Sequence, residues 1–219
     1  MGPARVARGR HVNDRRAALT AHLDAMRACR RCPRMIPPVV TGSPVLGPAL
    51  IVGQAPGPRE GALGRPFAWT AGKTLFGWFG RIGADEATVR ARVAFTAVCR
   101  CFPGKASAGG GDRVPAPEEI AACRPWLEGQ IALVDPALVI AVGKLAIGQW
   151  LSDGPLTDVV GPLHRARIAG ADRDLVALPH PSGASTWFRR APGDALLDEA
   201  LRTIDAHPAW AEVRAYHSL

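Results

Sequence analysis

Residues 137–143, ALVIAVG, form a continuous apolar run without a charge, and this stretch decides the fold class. A strand that is apolar at every position is typical of the centre of a parallel sheet, where helices cover both faces. Residues 48–57, PALIVGQAPG, begin in the same way and end in a glycine–proline turn, which predicts a second buried strand and then a loop. The same reasoning predicts strands in ARVAFTAV (91–98), RARIA (165–169) and DLVALPHPS (174–182).

Segments with helical spacing separate these strands. Helices are predicted at 14–28, 70–83, 116–134, 144–151 and 191–206. Strands that alternate with helices indicate an α/β protein. We therefore predict a single three-layer α/β/α domain over residues 1–219, with a central, mostly parallel sheet of about four strands. A basic segment and helix at 1–28 precede the sheet, and a helix and tail at 191–219 follow it.

The composition indicates a globular protein with an excess of positive charge. Hydrophobic residues make up 47% of the 219 residues, and the formal net charge is +8. Such an excess favours nucleic acid or an acidic membrane surface as a partner, although some basic proteins are simply soluble. No apolar run approaches the roughly 20 residues of a spanning helix, and the N-terminus lacks the apolar core of a secretory signal. We expect a cytoplasmic protein with no membrane partner.

Three loops follow predicted strands, where parallel sheets bind ligands: GQAPG (53–57), the segment after FTAV (95–98) and HPSGAS (180–185). The backbone amides of GQAPG are open to a ligand, but the same letters also suit a tight turn. The spacing rules out a phosphate-binding P-loop, both here and at AGKT (71–74). Pro181 holds His180 rigidly, so this side chain is either a hydrogen-bond donor or acid–base group, or an ordinary surface histidine.

The five cysteines begin with the pair in CRRC (29–32) and continue with Cys99, Cys101 and Cys123. An odd number in a chain of this kind argues against a disulfide framework. Two close thiols and two distant ones can gather around one centre, and zinc and iron–sulfur clusters both accept four cysteines. The spacing does not separate these two alternatives from each other or from free thiols.

Several motifs in one order carry a resemblance to a known family. In order along the chain, these motifs are CRRC (29–32), GQAPG (53–57), GRPF (64–67), AG (71–72), CRCFPG (99–104), EEIAACRPWL (118–127) and LPHPS (178–182). This order resembles the uracil-DNA glycosylase superfamily, and specifically its iron–sulfur families 4 and 5, from about Cys29 to Arg190. Each motif alone is unspecific, whereas the ordered set is specific.

The resemblance implies a 4Fe–4S cluster held by four cysteines, which match Cys29, Cys32, Cys101 and Cys123. Cys101 is preferred to Cys99 because the Phe-Pro turn follows it, which leaves Cys99 as a spare thiol. In those families the cluster is structural. Zinc in the same four thiolates and a redox-responsive cluster remain alternatives.

The resemblance also assigns a base-binding site and a reaction. It implies that His180 stabilises the charge on uracil O2 while the N-glycosidic bond is hydrolysed, as in base excision repair, and that Gln54 is the second catalytic candidate. Phe67 would stack on the flipped base. The base-binding set is Gly53, Gln54, Ala55, Pro56, Gly57, Phe67, Ala97 and His180. The expected partner is uracil-containing DNA, single- or double-stranded, and the expected state is a monomer.

The predicted DNA contacts lie around the same loops. The positions are Lys73, Ser182, Arg189 and Arg190, with Lys105 and Arg113 as weaker candidates. Trp187 or Phe188 is expected either to wedge into the base stack or to belong to the core.

The chain departs from both families, which predicts a divergent member. Gln54 stands where family 4 has Glu, Ala97 stands where it has Asn, and Thr70 gives no match to the family 5 Asp. The carboxylate that family 4 has in the loop matching GQAPG is therefore missing, so either Gln54 with backbone groups positions the water, or the reaction is strongly dissociative. Without an amide at Ala97 we expect excision to extend to other deaminated bases. The alternative is a catalytically weak or inactive protein that binds uracil or abasic DNA.

Overall fold

The computed structural model describes residues 3–107, 111–152, 154–183 and 185–215, with side chains from Val12 onwards. Parts of three predictions lie outside these residues: Gly109 and Gly110 of the glycine run, Ala184 of the loop after His180, and the tail beyond Ala215. Within the described ranges five strands form one sheet, in the order β2-β1-β3-β5-β4. Their bounds are β1 Ala49–Gly53, β2 Val93–Ala97, β3 Leu138–Val142, β4 Leu163–Ile168 and β5 Ala171–Leu178.

The helices lie between the strands, as the alternating pattern predicts. Their bounds are α1 Pro3–Arg27, α2 Glu60–Leu63, α3 Thr70–Gly80, α4 Glu86–Arg92, α5 Pro117–Val134, α6 Lys144–Ile147, α7 Leu156–Val159, α8 Gly193–Ala206 and α9 Pro208–Arg214, with a single 3₁₀ turn at Trp187–Arg189. None of the helices described is long and apolar enough to cross a bilayer.

Two helical layers cover the sheet, which confirms the three-layer α/β/α prediction. The chain passes from β1 to β2 through α3 and α4, then from β2 through α5 to β3 on the other side of β1. Because parallel crossovers are right-handed, α4 and α5 lie on opposite faces. α1 packs on α5, while α9 packs on α4 and β1. Every residue of β1, β2 and β3 is buried, as strands covered on both faces require.

The fifth strand is an antiparallel edge. β4 pairs with β5 from Leu163↔Val176 to Ile168↔Ala171, and the other pairings are parallel. Ala169 (φ 48°) and Gly170 (φ 81°) make the two-residue turn, since both have the positive φ of a type I′ hairpin. The sheet is therefore mostly parallel as predicted, and its five strands match the five segments predicted as strands, against an expected sheet of about four.

Four of the described helices are absent from the sequence prediction: the four-residue α2 and α7, and the longer α4 and α9. α4 begins at Glu86, directly after Asp85, whose carboxylate accepts a hydrogen bond from the Thr88 amide at 2.8 Å, and it ends at Arg92, inside the segment 91–98 that the sequence predicts as a strand. α9 follows the helix that was expected to be the last, and Pro208 stands in its first turn. Its Trp210 is fully buried and donates from Nε1 to the Ile82 carbonyl at 3.1 Å.

Candidate active site and cysteine cavity

The carboxyl ends of β1 and β5 open into one cavity of about 460 Å³. The connection from β1 leads to one side of the sheet and the connection from β3 leads to the other, so the cavity lies at the point where the strand order reverses. Seven of the predicted site residues line it: Gln54, Ala55, Pro56, Gly57, Phe67, His180 and Ser182. The two loops that are 120 residues apart in the sequence therefore face each other.

His180 is fixed in one tautomer by its own loop. The Ser182 backbone amide donates to its Nδ1 at 3.2 Å, and an amide N–H can only donate, so Nδ1 carries no proton. The proton of the neutral ring is then on Nε2, which makes no hydrogen bond to any described residue. Burial lowers the pKa of His180, while the charge of Asp112 acts in the opposite direction. The ring is neutral at pH 7, with a free N–H donor.

Glycine at the end of β3 allows the histidine to lie so close to the sheet. Gly143 has φ 87°, and a Cβ there would lie 3.0 Å from the His180 ring carbon Cδ2. Any side chain at this position would therefore push the imidazole outwards as well as strain the backbone. The position of the predicted catalytic histidine thus depends on a residue that the sequence did not single out.

Phe67 is held in an unusual backbone conformation. Its φ is 51°, which a bulky residue adopts only where the surroundings impose it. Arg90 donates to the Pro66 carbonyl at 3.1 Å and to the Phe67 carbonyl at 3.0 Å. The Phe67 ring lies against Gly53, where a Cβ would be 3.0 Å from its Cζ. The aromatic predicted to stack on the base is therefore rigidly placed.

Glu60 is a carboxylate in the cavity that sequence reasoning missed. Its Oε2 accepts from the Gly57 amide at 2.7 Å and its Oε1 from the Ala68 amide at 3.1 Å. Burial raises the pKa of Glu60, and these backbone hydrogen bonds act against that rise. The side chain thereby ties the loop after β1 to the segment that carries Phe67. The run GQAPGPRE, with a glutamate six residues after Gln54, was the available signal.

A second missed carboxylate, Asp112, comes from the glycine-rich loop. It lines the cavity together with Lys105, and the Lys105 ammonium contacts its Oδ1 at 2.7 Å. The exposed Trp69 also lines the cavity, with the Arg59 guanidinium 4.7 Å from its ring centre. The sequence placed no structure in this loop and therefore gave no reason to bring Asp112 to His180.

Gly53 and Ala97 lie in a smaller cavity of about 30 Å³. Ala55, Pro56, Glu60 and Phe67 line both cavities, so the small one is a recess of the main site. Ala97, at the end of β2, contributes only a methyl group to its wall. At position 97, where family 4 has an Asn, the wall of the recess therefore carries no side-chain amide.

The other predicted DNA contacts are divided by the structure. Lys73, Arg189 and Arg190 are exposed, but they do not line the cavity. Phe188 is buried and packs edge-on against Trp78 at 5.0 Å, so it belongs to the core. Trp187 is partly buried against the same core.

Arg113 has a structural role, and its weaker DNA-contact assignment stays a prediction. Its guanidinium contacts both oxygens of the buried Glu119, at 2.6 and 2.9 Å, and donates to the Pro103 carbonyl at 2.7 Å. The hydrogen bond to Glu119 raises the pKa of Arg113. The two side chains fasten the glycine-rich loop to the start of α5.

The four predicted ligands, Cys29, Cys32, Cys101 and Cys123, line a separate cavity of about 240 Å³. α1 ends beside it, α5 supplies Cys123, and the segment after β2 supplies Cys101. Cys99 is fully buried and does not line it, as expected of a spare thiol. No three Cys, His, Asp or Glu side chains in the described part of the chain are arranged to hold a single metal ion.

The thiols and the guanidinium that line this cavity suit a cofactor held by thiolates. Burial and the neighbouring thiolates raise the pKa of Cys101 to about 11. A hydrogen bond from Cys99 lowers the pKa of Cys123. Burial lowers the pKa of Arg100 to about 10, and this guanidinium lines the cavity with its Nη1 buried and without a hydrogen-bond partner among the described residues. A buried cation with an unused donor calls for an anionic group in front of it.

The fold and the site define the class: a doubly wound α/β protein whose ligand cavity at the switch point carries a neutral histidine. The chain belongs to the uracil DNA glycosylase superfamily, whose family model matches residues 41–204. This confirms the resemblance that the ordered motifs indicated.

Relatives of known function agree with this assignment. A type-4 uracil-DNA glycosylase of Pyrobaculum aerophilum is 34% identical over 138 residues, which cover 61% of this chain and 65% of that protein. A type-4 enzyme of Thermotoga maritima is 32% identical over 127 residues, covering 57% of this chain and 61% of the relative. For Archaeoglobus fulgidus the identity is 28% over 139 residues, covering 61% and 64%. The chain thus spans just under two thirds of the length of these relatives.

Proposed function

We propose that this protein is a DNA glycosylase that flips uracil out of DNA and hydrolyses its N-glycosidic bond, leaving an abasic site. The observation that carries this proposal is the neutral His180, which lines the cavity at the switch point and whose Nε2–H has no partner among the described residues. The names of the curated relatives support the same activity. Such an enzyme meets its substrate at the nucleoid, which agrees with the expected cytoplasmic location; the monomeric state stays an expectation.

In the proposed reaction the flipped base enters the main cavity beside Phe67, because the recess of about 30 Å³ is too small for a base. Its ring stacks on the Phe67 side chain, and the amides of the loop after β1 face its edge. As the C1′–N1 bond breaks, negative charge develops on uracil O2. The Nε2–H of His180 donates a hydrogen bond to that oxygen, in a site that is already oriented before the reaction. A neutral donor suits an anion that leaves without taking a proton from the ring.

The positive charge of the chain serves the approach to DNA in this proposal. Arg59 and Trp69 stand at the mouth of the cavity, where a guanidinium and an exposed ring can contact phosphate and base. Lys73, Arg189 and Arg190 remain predicted phosphate contacts outside the cavity. Since glycosylases have to pay for unstacking, these contacts would supply the binding free energy that flipping consumes.

We further propose that Cys29, Cys32, Cys101 and Cys123 hold a 4Fe–4S cluster. Four thiols that share a cavity without converging on one ion fit a larger group better than zinc, whose bonds to sulfur are about 2.3 Å long. The unused Nη1 donor of Arg100 fits the negative charge that four thiolates bring. When bound, the cluster would supply a structural cross-link between α1, α5 and the sheet. Redox sensing has no separate support.

The test of the function is base release from defined DNA duplexes. Wild type, His180→Ala and the matched control His164→Ala are compared on uracil, hypoxanthine, xanthine and thymine under single-turnover conditions. We expect uracil release by wild type, and a loss of about 100- to 1000-fold in His180→Ala, as for other removed donors to a developing anion. His164 does not line the cavity, and its Nε2 contacts the Val159 carbonyl at 2.7 Å, so His164→Ala should preserve the excision rate.

Two results would contradict the proposal. Tight binding of uracil-containing DNA without released base, with enzyme in excess, would show the inactive binder instead. A full excision rate in His180→Ala would show that the central residue is wrongly assigned. Release confined to uracil would leave the function intact and refute the expected tolerance for other deaminated bases.

A further inference from the structure

The cavity lacks a base at the position that the family resemblance points to. Gln54 lines the cavity, but an amide cannot take up a proton from water. Its side chain makes no hydrogen bond to any residue that the structure describes. If a side chain takes up the proton of the attacking water, it comes from elsewhere in the chain. The same cavity contains two carboxylates, Glu60 and Asp112, and they differ in how their oxygens are used.

Glu60 is committed to the backbone. One carboxylate oxygen accepts from the Gly57 amide and the other from the Ala68 amide, so both are aimed at the loops that they connect. Turning either oxygen toward a water would weaken the hydrogen bond to a backbone amide that ties the two loops together. Glu60 is therefore a positioning residue.

Asp112 has an oxygen to spare. Its Oδ1 contacts the Lys105 ammonium at 2.7 Å, whereas its Oδ2 has no hydrogen-bond partner among the described residues. Oδ2 faces the loop after β1, because a Cβ built on Gly57 would lie 3.8 Å from it. The side chain is 34% exposed, which leaves it open to water. Its charge also reaches the ring of His180 across the cavity.

The loop that carries Asp112 is anchored at several points. Lys105 and Asp112 form an antiparallel bridge, and the Arg113 amide donates to the Gly104 carbonyl at 2.8 Å. The Arg113 side chain then fastens the loop to the buried Glu119. The Asp112 carboxylate is therefore held at the wall of the cavity by its neighbours on both sides.

We propose that Asp112 binds and activates the water that attacks the sugar, an inference that rests on the proposed glycosylase function. Oδ2 accepts a hydrogen bond from the water, whose oxygen forms the new bond to C1′. The C1′–N1 bond breaks, its electron pair leaves with the uracil, and O2 accepts the hydrogen bond from His180. The proton of the water passes to the Asp112 carboxylate and then to solvent.

This position also suits a dissociative reaction. When the bond to the base breaks early, positive charge develops on the sugar at C1′, and a carboxylate on the side of the attacking water stabilises it. His180 then faces the anion and Asp112 faces the cation. The two charges are stabilised by side chains that line the same cavity, so the carboxylate that family 4 has at the position of Gln54 is replaced from another loop.

The experiment compares single-turnover uracil excision by wild type, Asp112→Asn, Asp112→Ala and the control Asp172→Asn. Asp172 is an exposed aspartate of the β4–β5 hairpin, at the other end of β5. We expect Asp112→Asn to lose about 100-fold or more in rate, the usual effect of a lost general base. Affinity for a duplex with a stable abasic analogue should not fall, because the change removes a negative charge near phosphates. Asp172→Asn should keep the wild-type rate.

Chemical rescue separates a catalytic carboxylate from a structural one. Added formate should restore part of the rate in Asp112→Ala, where it can occupy the vacated space, and it should not restore His180→Ala. A full rate in Asp112→Asn, or a loss of rate that goes with lost DNA affinity and no rescue by formate, would overturn the inference. If wild type itself releases no base, the proposed function fails first, and that result is distinct from an active wild type with an equally active Asp112→Asn.

Discussion

Gly72→Ala is the substitution whose effect follows most directly from the structure. Gly72 lies in the first turn of α3, where a Cβ would stand 1.8 Å from the carbonyl oxygen of Phe67 and 2.6 Å from its carbonyl carbon. Real Cβ atoms stay at least 3.0 Å from such neighbours, so the Phe67 backbone has to move by about 1.2 Å or more. The obstacle is backbone, which cannot rotate away as a side chain can.

Phe67 has little freedom to make this movement. Its carbonyl is held by Arg90 at 3.0 Å, and its φ of 51° is already strained. A misplacement of about 1 Å at a positioning residue costs about 100-fold in rate. Overpacking costs roughly 1–3 kcal/mol of stability. We expect Gly72→Ala to lose about 100-fold in single-turnover excision and to melt at a lower temperature, by about 2–4 °C for each kcal/mol.

Gly77 provides the matched control in the same helix. It is exposed, and a Cβ there would meet nothing within 4 Å, so Gly77→Ala should keep the rate. It should also gain up to about 1 kcal/mol from the better helix propensity of alanine. A Gly72→Ala variant that excises uracil at the wild-type rate would refute the reasoning, because it would show that Phe67 need not lie where the structure has it.

Four further outcomes are expected. Glu60→Gln turns an NH₂ group toward a backbone N–H, so it should lower the free energy of unfolding by about 1–3 kcal/mol in urea titrations and slow excision. Unchanged stability would contradict the role of Glu60 in connecting the two loops. Arg100→Met removes the buried cation beside the four cysteines, so the visible absorbance of the proposed cluster should decay roughly tenfold faster under a chelator, whereas equal decay would refute its contact with that group. Burial lowers the pKa of His180 below its unfolded value of 6.5, so the unfolded state takes up a proton first as pH falls. The free energy of unfolding of the wild type, measured from pH 8 to pH 5, should therefore decline below about pH 6.5. The same measurement on His180→Ala should lack this decline. Ala97→Asn adds an amide to the recess and should raise the ratio of uracil to hypoxanthine release; an unchanged ratio would dissociate Ala97 from base selection.

The sequence predicted the fold well because the strands are continuous apolar runs and the helices are periodic. The prediction was less accurate where an element is short or partly polar. α4 is seven residues long and directly precedes β2. The sequence prediction therefore assigned its polar residues partly to a loop and partly to the start of the strand. The β4 edge strand is half exposed, and only pairing with β5 decides that it is antiparallel.

The site divides along similar lines. The loop at 53–57 and His180 could be selected because the ends of parallel strands meet at one edge of a sheet, whereas Phe67 was selected through the family resemblance of GRPF. Glu60 and Asp112 could not, because neither stands at a strand end. Asp112 enters the cavity only through the bridge to Lys105 and the anchoring of Arg113, and those are contacts between side chains and loops.

By itself the sequence determined the layers of the fold, the loops that meet beyond the sheet, the cysteines that share a cavity, and the family. These follow from hydrophobic periodicity and from motif order, which are properties of the chain. The tertiary structure alone decided how the polar groups are used: the tautomer of His180, the engaged oxygens of Glu60, the spare oxygen of Asp112 and the unused donor of Arg100. A side chain's chemistry depends on which partners its atoms meet, and folding brings those partners from distant parts of the chain.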